Sequence, residues 1–215
     1  MAGIKQTQDL ITGINNLSIH EIVKLLVKNK ESALPLESDF PAELLKGKST
    51  PAAVLVPIFR KENQWQVLFI RRTQDHTAHS GQVAFPGGRA NPEDQSIRMT
   101  ALREAWEEIG LLPNDVNILG ELPGFRTITN YEISPYVCYI PWPYEFCKEE
   151  KEVARIFSVP LSWLAESNNR EIRQRILPAP YSPISVTYFH SYDEEVIWGA
   201  TARIMISFLK VLLLV

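Results

Sequence analysis

Hydrophobic and polar positions change their period several times along the chain, and each change marks an element. From Ser18 to Lys28 the apolar residues Ile22, Leu25 and Leu26 recur at helical spacing. Ser18 and Glu21 open that stretch as an S-x-x-E capping box, in which each side chain satisfies the other's free backbone N–H. Residues 31–50, with Pro35, Pro41 and several charges, read as a linker. The runs AAVLVPIF (52–59) and WQVLFI (65–70) flank the polar turn RKENQ and predict an antiparallel hairpin. Arg71 to Pro92 is glycine-rich and reads as a loop. Ile97, Ala101, Leu102, Ala105 and Ile109 predict a helix over about 95–110, and Gly110 ends it by adopting the left-handed conformation. Strands are expected at 115–121 and 132–140, and Pro135, which lacks an N–H, predicts a bend or an edge position for the second. RIFSVP (155–160), a short helix around LSWLAE, strands near 171–177 and 184–190, and a helix from Trp198 to Leu214 complete the chain. There is no internal repeat. The order β-β-α-β-β…α predicts an α/β fold with a mixed sheet and helices on its faces.

Length adds that 215 residues fit one sizeable domain with modest terminal additions. The expected division is an N-terminal helix and linker over 1–48 and the main domain over 49–215. A net charge of −3 gives no basic excess for nucleic acid, so no nucleic-acid partner is expected. Two cysteines, Cys138 and Cys147, make no disulfide framework and fit no zinc spacing. The N-terminal residues lack the apolar core of a signal peptide. The apolar C-terminus IMISFLKVLLLV (204–215) is too short to span a bilayer, contains Lys210, and reads as a buried helix. The expectation is a cytoplasmic protein without a membrane partner.

The stretch that carries chemistry is FPGGRANPEDQSIRMTALREAWEEIGL, residues 85–111. Glu104 stands three residues before Glu107 and four before Glu108, so a helix puts all three carboxylates on one side. Like charges so placed repel, and a divalent cation reverses the sign. Mg²⁺ binds through a few carboxylates, waters and substrate phosphates, which suits this donor set. Arg103 is placed to pair with a carboxylate and orient it. The double glycine lets the backbone turn sharply and approach other groups closely. A glutamate-rich helix alone is usually a solvated face and a Gly-Gly pair alone usually a turn; their fixed spacing in one stretch points to a site.

This stretch resembles the Nudix box, G-x5-E-x7-R-E-U-x-E-E-x-G-U, where U is a bulky aliphatic residue. Arg103, Glu104, Glu107, Glu108, Gly110 and Leu111 match its second half. In the first half, Asp94 stands six residues after Gly88 where a glutamate is usual, with Glu93 as its rival. Eight residues instead of seven separate Asp94 from Arg103, and Ala105 replaces the bulky aliphatic residue. These departures resemble the coenzyme A pyrophosphatase branch, which has FPGG, an Asp at this offset and T-A-L-R-E-A-x-E-E-I-G-L. Here Phe85 to Gly88, Asp94 and Thr100 to Leu111 match. Upstream, Leu68, Phe69, Arg72, Thr73, Gly81, Val83 and Phe85 match that branch's second motif, while His76-Thr77-Ala78-His79 stands where an arginine is often found. A third block, I-W-G-A-T-A-R-I at 197–204, is similar to the branch's C-terminal helix.

The resemblance implies a Nudix-like α/β/α sandwich and a metal-dependent pyrophosphohydrolase of a small nucleoside diphosphate derivative. Glu104 and Glu108 would ligate Mg²⁺ or Mn²⁺; Glu107 would be a further ligand or the base; Arg103 would orient the carboxylates; Gly88 would set the loop geometry. Coenzyme A or its derivatives would be cleaved to 3′,5′-ADP and 4′-phosphopantetheine or its acyl form. Arg71, Arg72, His76, His79 and Arg89 are candidate donors to the diphosphate and the 3′-phosphate. Glu194 and Glu195 offer a further ligand or base, the rings of PWPYEF (141–146) either stack on adenine or pack a turn, and His190 reads as structural. ADP-ribose, NADH or a dinucleoside polyphosphate are the rival substrates, a non-catalytic nucleotide sensor is the rival class, and a homodimer is an assembly left open.

Overall fold

Strand β1 (Thr50–Lys61) is apolar at nearly every position because it feeds two cores at once. Ala53, Leu55 and Phe59 enter one buried cluster, and Val56 and Ile58 enter another on the opposite face. That division follows from the two-residue period of a strand, and a strand covered on both faces reads as a continuous apolar run. The computed structural model describes residues 12–29, 44–45, 47–74 and 80–215.

β1 forms the predicted hairpin with β2 (Gln64–Arg72). Glu62 and Asn63 make the turn with φ of 50° and 62°, the left-handed pair whose twist suits a two-residue hairpin. β2 stays beside β1 only as far as Val67, pairs with β8 (Val153–Pro160) from Gln66 onward, and meets β3 (Val83–Ala84) at Ile70 and Arg71. A short strand, β4 (Gly87–Arg89), takes its place against β1 at Ala52–Val54. The glycine-rich stretch read as a loop therefore contains two strands. Both are too short to show a period of their own, and pairing with β1 and β2 defines them.

On the other side β1 runs parallel to β7 (Tyr131–Tyr139), which pairs in turn with β5 (Asn117–Glu121) and β6 (Phe125–Arg126). The eight strands form one mixed sheet. Pro135 lies inside it, in β7, and not at an edge. Its carbonyl accepts the Leu122 N–H at 3.0 Å, on the side where β5 has ended and β6 has not begun, so no ladder bond misses its N–H.

Helix α2 (Ile97–Ile109) lays Ala101, Leu102, Ala105 and Ile109 on one face of the sheet. The opposite face carries α1 (Ile19–Asn29), the short α3 (Leu161–Ala165) and α4 (Gly199–Val211). The result is the expected sandwich of helices around a mixed sheet. The Ser18–Glu21 capping box is formed, with Ser18 N donating to Glu21 Oε2 at 2.8 Å and Glu21 N to Ser18 Oγ at 3.2 Å. Ile22 and Leu26 of α1 are buried in the same core as Met205, Phe208 and Leu209 of α4, and Asn29 Nδ2 donates to Val211 O at 2.8 Å. Each such apolar side chain contributes about 1.5–3 kcal/mol on full burial, which is why the C-terminal run stays with the core. No helix among the described residues is long and apolar enough to cross a membrane. β9 (Arg170–Arg175) and β10 (Ile184–Phe189) form a separate hairpin near the start of α4.

Candidate active site

The site sits where β2 parts from β1 and β4 fills the gap. α2 runs past this gap, starting at Ser96, whose Oγ accepts the Met99 N–H at 3.3 Å. It ends at Gly110, which has φ 68° and sends its N–H to Ala105 O and Trp106 O. The segment between β7 and β8 then caps it: Cys147 N donates to Ile109 O at 3.0 Å and Glu149 N to Glu108 O at 2.9 Å, satisfying carbonyls a helix end leaves free. Ala105, fully buried in one cluster with Ala53 and Leu55, occupies the place of the bulky aliphatic residue and lets the helix lie close on β1.

The three carboxylates of α2 share a side but not an environment. The Glu108 side chain is 2% exposed, that of Glu104 17% and that of Glu107 50%. Glu108 Oε2 accepts the Gly87 N–H at 2.9 Å, and its Oε1 lies 3.4 Å from Arg72 Nη1. Those two contacts do not offset burial, which pushes the Glu108 carboxyl up to about 8. Burial also raises Glu104, with Arg103 acting against it. The charge of Glu152 raises both further. Glu152, whose backbone carbonyl accepts the N–H of Thr73 beside Arg72 at 3.0 Å, is a neighbouring carboxylate. In the sequence it lies in KEEKE, which looks like a solvated turn; its only signal is an acid directly before a strand.

Arg103 gathers the rest. Its Nε and Nη2 hold Asp94 at 2.9 and 3.1 Å as a two-pronged pair, and Nη1 reaches Glu104 and Glu107, each at 2.8 Å. Asp94 also accepts from Asn91 N (2.9 Å) and Thr100 Oγ1 (2.7 Å). The Arg103 guanidinium, helped by these bonds, holds the Asp94 carboxyl far below its usual range. Asp94, and not its exposed neighbour Glu93, therefore anchors the arginine that orients the carboxylates.

The two glycines have separate jobs. A Cβ on Gly87 would lie 2.3 Å from Ala53 O and 2.6 Å from Val54 Cα, so the β1–β4 pairing itself needs glycine. A Cβ on Gly88 would lie 2.3 Å from Glu104 Oε2, so this glycine makes room for the carboxylate.

Not every candidate comes to this centre. Arg72 does, through Glu108. Arg71 lies in the adjoining cleft, 3.2 Å from Glu195 Oε1. Arg89 is exposed and offers the centre only its carbonyl, which accepts from Arg103 Nη2 at 3.1 Å. His76 and His79 lie outside the described residues. Glu195 is buried against Arg71 and Arg155 and is engaged there. Trp142 stacks on Phe59 with ring centres 4.3 Å apart, and the Tyr144 hydroxyl joins Leu112 N to Asp115 Oδ2. The aromatic residues of PWPYEF pack a turn. The His190 side chain is exposed, while its backbone N–H donates to Asn169 O at 2.8 Å.

A divalent cation fits this donor set. Every side-chain donor is a carboxylate oxygen, the hard ligand Mg²⁺ and Mn²⁺ prefer. Glu108 is a buried carboxylate whose charge the protein leaves under-compensated. No group of three or more acidic, His or Cys side chains among the described residues is placed to hold a metal ion by itself; Mg²⁺ is commonly held by one or two carboxylates together with substrate phosphates.

The comparisons agree with this geometry. The protein named Uncharacterized Nudix hydrolase NudL from Photorhabdus laumondii is 37% identical over 168 residues, covering 77% of this chain and 86% of the relative. The protein of the same name from Pectobacterium atrosepticum is 36% identical over 162 residues, covering 72% and 78%. Among solved structures, a MutT/nudix family protein from Enterococcus faecalis shares the fold with a TM-score of 0.54 at 16% identity, covering 78% of this chain and 63% of that one. Residues 49–179, from the start of β1 past the carboxylate helix to β9, match the NUDIX domain, and the chain belongs to the Nudix hydrolase family, whose members act on phosphorus-containing anhydrides.

Proposed function

We propose that the protein hydrolyses the diphosphate of coenzyme A or its derivatives, giving 3′,5′-ADP and 4′-phosphopantetheine or its acyl form. The observation that carries this reading is the arginine pair at the end of β2. Arg72 touches the carboxylate centre and Arg71 lines a cleft of about 390 Å³ beside it, so cationic donors lead away from the reacting diphosphate. A substrate with a phosphate beyond its diphosphate suits that layout. The FPGG and T-A-L-R-E-A-W-E-E-I-G-L blocks, which resemble the coenzyme A branch, are the elements that build the centre.

Glu104 and Glu108 would hold Mg²⁺ or Mn²⁺, with Glu107 or Glu152 as a further ligand. The ion, when bound, supplies Lewis acidity at the diphosphate oxygens. Water attacks one phosphorus in line with the leaving oxygen, and whichever of Glu107 and Glu152 is not a ligand takes the water's proton. Arg103, fixed by Asp94, keeps Glu104 and Glu107 in place. Arg72 offsets charge on the phosphate nearest Glu108.

Incubating the protein with coenzyme A, ADP-ribose, NADH and a dinucleoside polyphosphate, each with Mg²⁺ or Mn²⁺, and resolving the products tests the reading. 3′,5′-ADP released from coenzyme A at the highest kcat/KM is the expected result. A higher kcat/KM on another member of the panel would replace the substrate and keep the chemistry. Tight nucleotide binding without cleavage of any of them would make the domain a sensor.

The glycines give a second test. Gly88→Ala displaces only the movable end of Glu104 and is expected to fold normally, with metal-dependent turnover lowered about 10–100-fold. Gly87→Ala drives a methyl into the β1 backbone and is expected to cost about 3 kcal/mol of stability or more. Thermal unfolding and kcat on both variants separate these outcomes; equal loss of stability in the two would overturn the division of roles.

A further inference from the structure

The cleft beside the carboxylates has a second wall that the chemistry above does not use. It is formed by Trp198, the residue before α4, and by Glu194 and Val196 of the preceding turn. In I-W-G-A-T-A-R-I, the third block singled out in the sequence, most residues have a structural reason. Gly199 has φ 62°, Thr201 Oγ1 donates to Val83 O at 2.8 Å, and Ile197, Ala202 and Ile204 are buried in the core. Trp198 has another setting. Its indole stacks on Tyr188 with ring centres 5.4 Å apart and planes within 3° of parallel, and the Arg173 guanidinium packs over Tyr188 at 4.5 Å. The ring is half-buried and lines the cleft instead of being sunk into the core.

The turn before Trp198 is built at a conformational cost. Asp193 and Glu194 have φ of 50° and 67°, and Tyr192 and Glu195 exchange both backbone hydrogen bonds at 2.9 and 3.0 Å. This two-residue turn needs left-handed backbone at both central positions, which Asn and Gly adopt readily and Glu does not. Charged neighbours hold it: Asp193 pairs with Arg155, and Glu195 lies 3.2 Å from both Arg155 and Arg71. Both flanking carboxylates are engaged, while Glu194 makes no ion pair or hydrogen bond with a described residue and lines the cleft. Backbone held in sparsely populated conformations concentrates at ligand sites.

A flat aromatic surface, a carboxylate acceptor and two arginines converge on one cleft. We propose that it is the nucleoside subsite, with an aminopurine base stacked on Trp198, its exocyclic amine donating to Glu194, and Arg71 and Arg72 facing the phosphates. At about 390 Å³ the cleft accommodates one end of a large diphosphate substrate and not the whole. The proposal rests on the reading of the protein as a nucleoside diphosphate hydrolase and not on coenzyme A in particular. Coenzyme A, ADP-ribose, NADH and diadenosine polyphosphates all carry adenosine beside a diphosphate.

Calorimetric titration of the full-length protein with AMP, with inosine monophosphate (a carbonyl in place of the amine) and with 4′-phosphopantetheine tests it. Wild type should bind AMP more tightly than inosine monophosphate. Trp198→Ala should weaken both nucleotides about ten- to hundredfold, since a stacked base contributes that much, and leave phosphopantetheine unchanged. Trp198→Phe, which keeps a ring, should recover most of the loss, and Glu194→Gln should erase the preference for the amine. Wild-type AMP affinity in Trp198→Ala, or a loss confined to phosphopantetheine, would overturn the assignment. So would an absence of AMP binding in an enzyme that cleaves diphosphates, and that result would leave the hydrolase reading standing. Trp198-dependent AMP binding without cleavage of any diphosphate would instead remove the hydrolase reading alone.

Discussion

Glu108→Gln is expected to abolish metal-dependent turnover while the protein stays folded. Glutamine has nearly the same shape and keeps an oxygen to accept the Gly87 N–H, now 2.9 Å from Glu108 Oε2. What it removes is the charge, and in a side chain only 2% exposed that charge is an expense to the fold unless a cation compensates it. Stability at pH 8 without metal should therefore equal or exceed that of wild type. Catalysis should fall by more than the roughly 10–100-fold typical when a residue merely supporting a metal ligand is changed. Mn²⁺ affinity, read by calorimetry, should fall with it. A fully active variant would sink the assignment of the site, and a variant that is inactive only because it unfolds would show as a lowered unfolding midpoint.

The sequence made this helix easy to find and its internal differences hard to see. Spacing puts Glu104, Glu107 and Glu108 on one side, and that is all spacing can do. Their unequal exposure follows β4, whose Gly87 N–H bonds Glu108 and whose Gly88 lies against Glu104, a consequence of tertiary packing. Glu152 is the stronger case. It comes near the site because β8 pairs with β2 and because Thr73 ties down the preceding turn, donating its Oγ1 to Lys151 O at 2.7 Å and its N–H to Glu152 O at 3.0 Å. No local pattern in KEEKE carries that information. The continuous apolar runs of β1 and β2 and the period of α2 make layers and faces legible, since burial on both sides leaves a plain signature. Pro135 differs from the sequence expectation for the opposite reason: a proline's cost in a strand depends on whether a neighbour is waiting for its N–H, which the strand's own residues do not show. Asp94 shows the same limit, for its two-pronged bond to Arg103 nine residues on explains an acid at a place where the family pattern has another.

Stability of the metal-free protein is expected to fall as pH rises from about 5 to 8, and a divalent ion is expected to reverse the trend. The Glu108 carboxyl ionises at an ordinary 4.5 in the unfolded chain and is pushed up to about 8 in the folded one. Between those values the folded state binds more protons than the unfolded state, so the slope of unfolding free energy against pH is negative. The contribution is complete below about 4.5 and is lost as pH passes through about 8. Glu104 is raised too and acts in the same direction. Asp94, held low by Arg103, works oppositely, but only below its own ordinary value of 3.8 and so outside this window. The shift of Glu108 corresponds to roughly 3–5 kcal/mol across the window, large beside a typical domain stability of about 5–15 kcal/mol. Saturating Mn²⁺ adds stability in proportion to the logarithm of its concentration over its Kd, and the gain should grow with pH because binding must first expel the proton. Urea unfolding at pH 5.5, 7 and 8.5 in EDTA and in Mn²⁺, with metal titrations in two buffers of different ionisation enthalpy to count protons released, gives the measurement. Glu108→Gln should flatten the EDTA series and remove most of the proton release. A wild-type EDTA series that stays level or climbs with pH would mean that Glu108 is already ionised without metal, and that its charge is compensated by the protein alone.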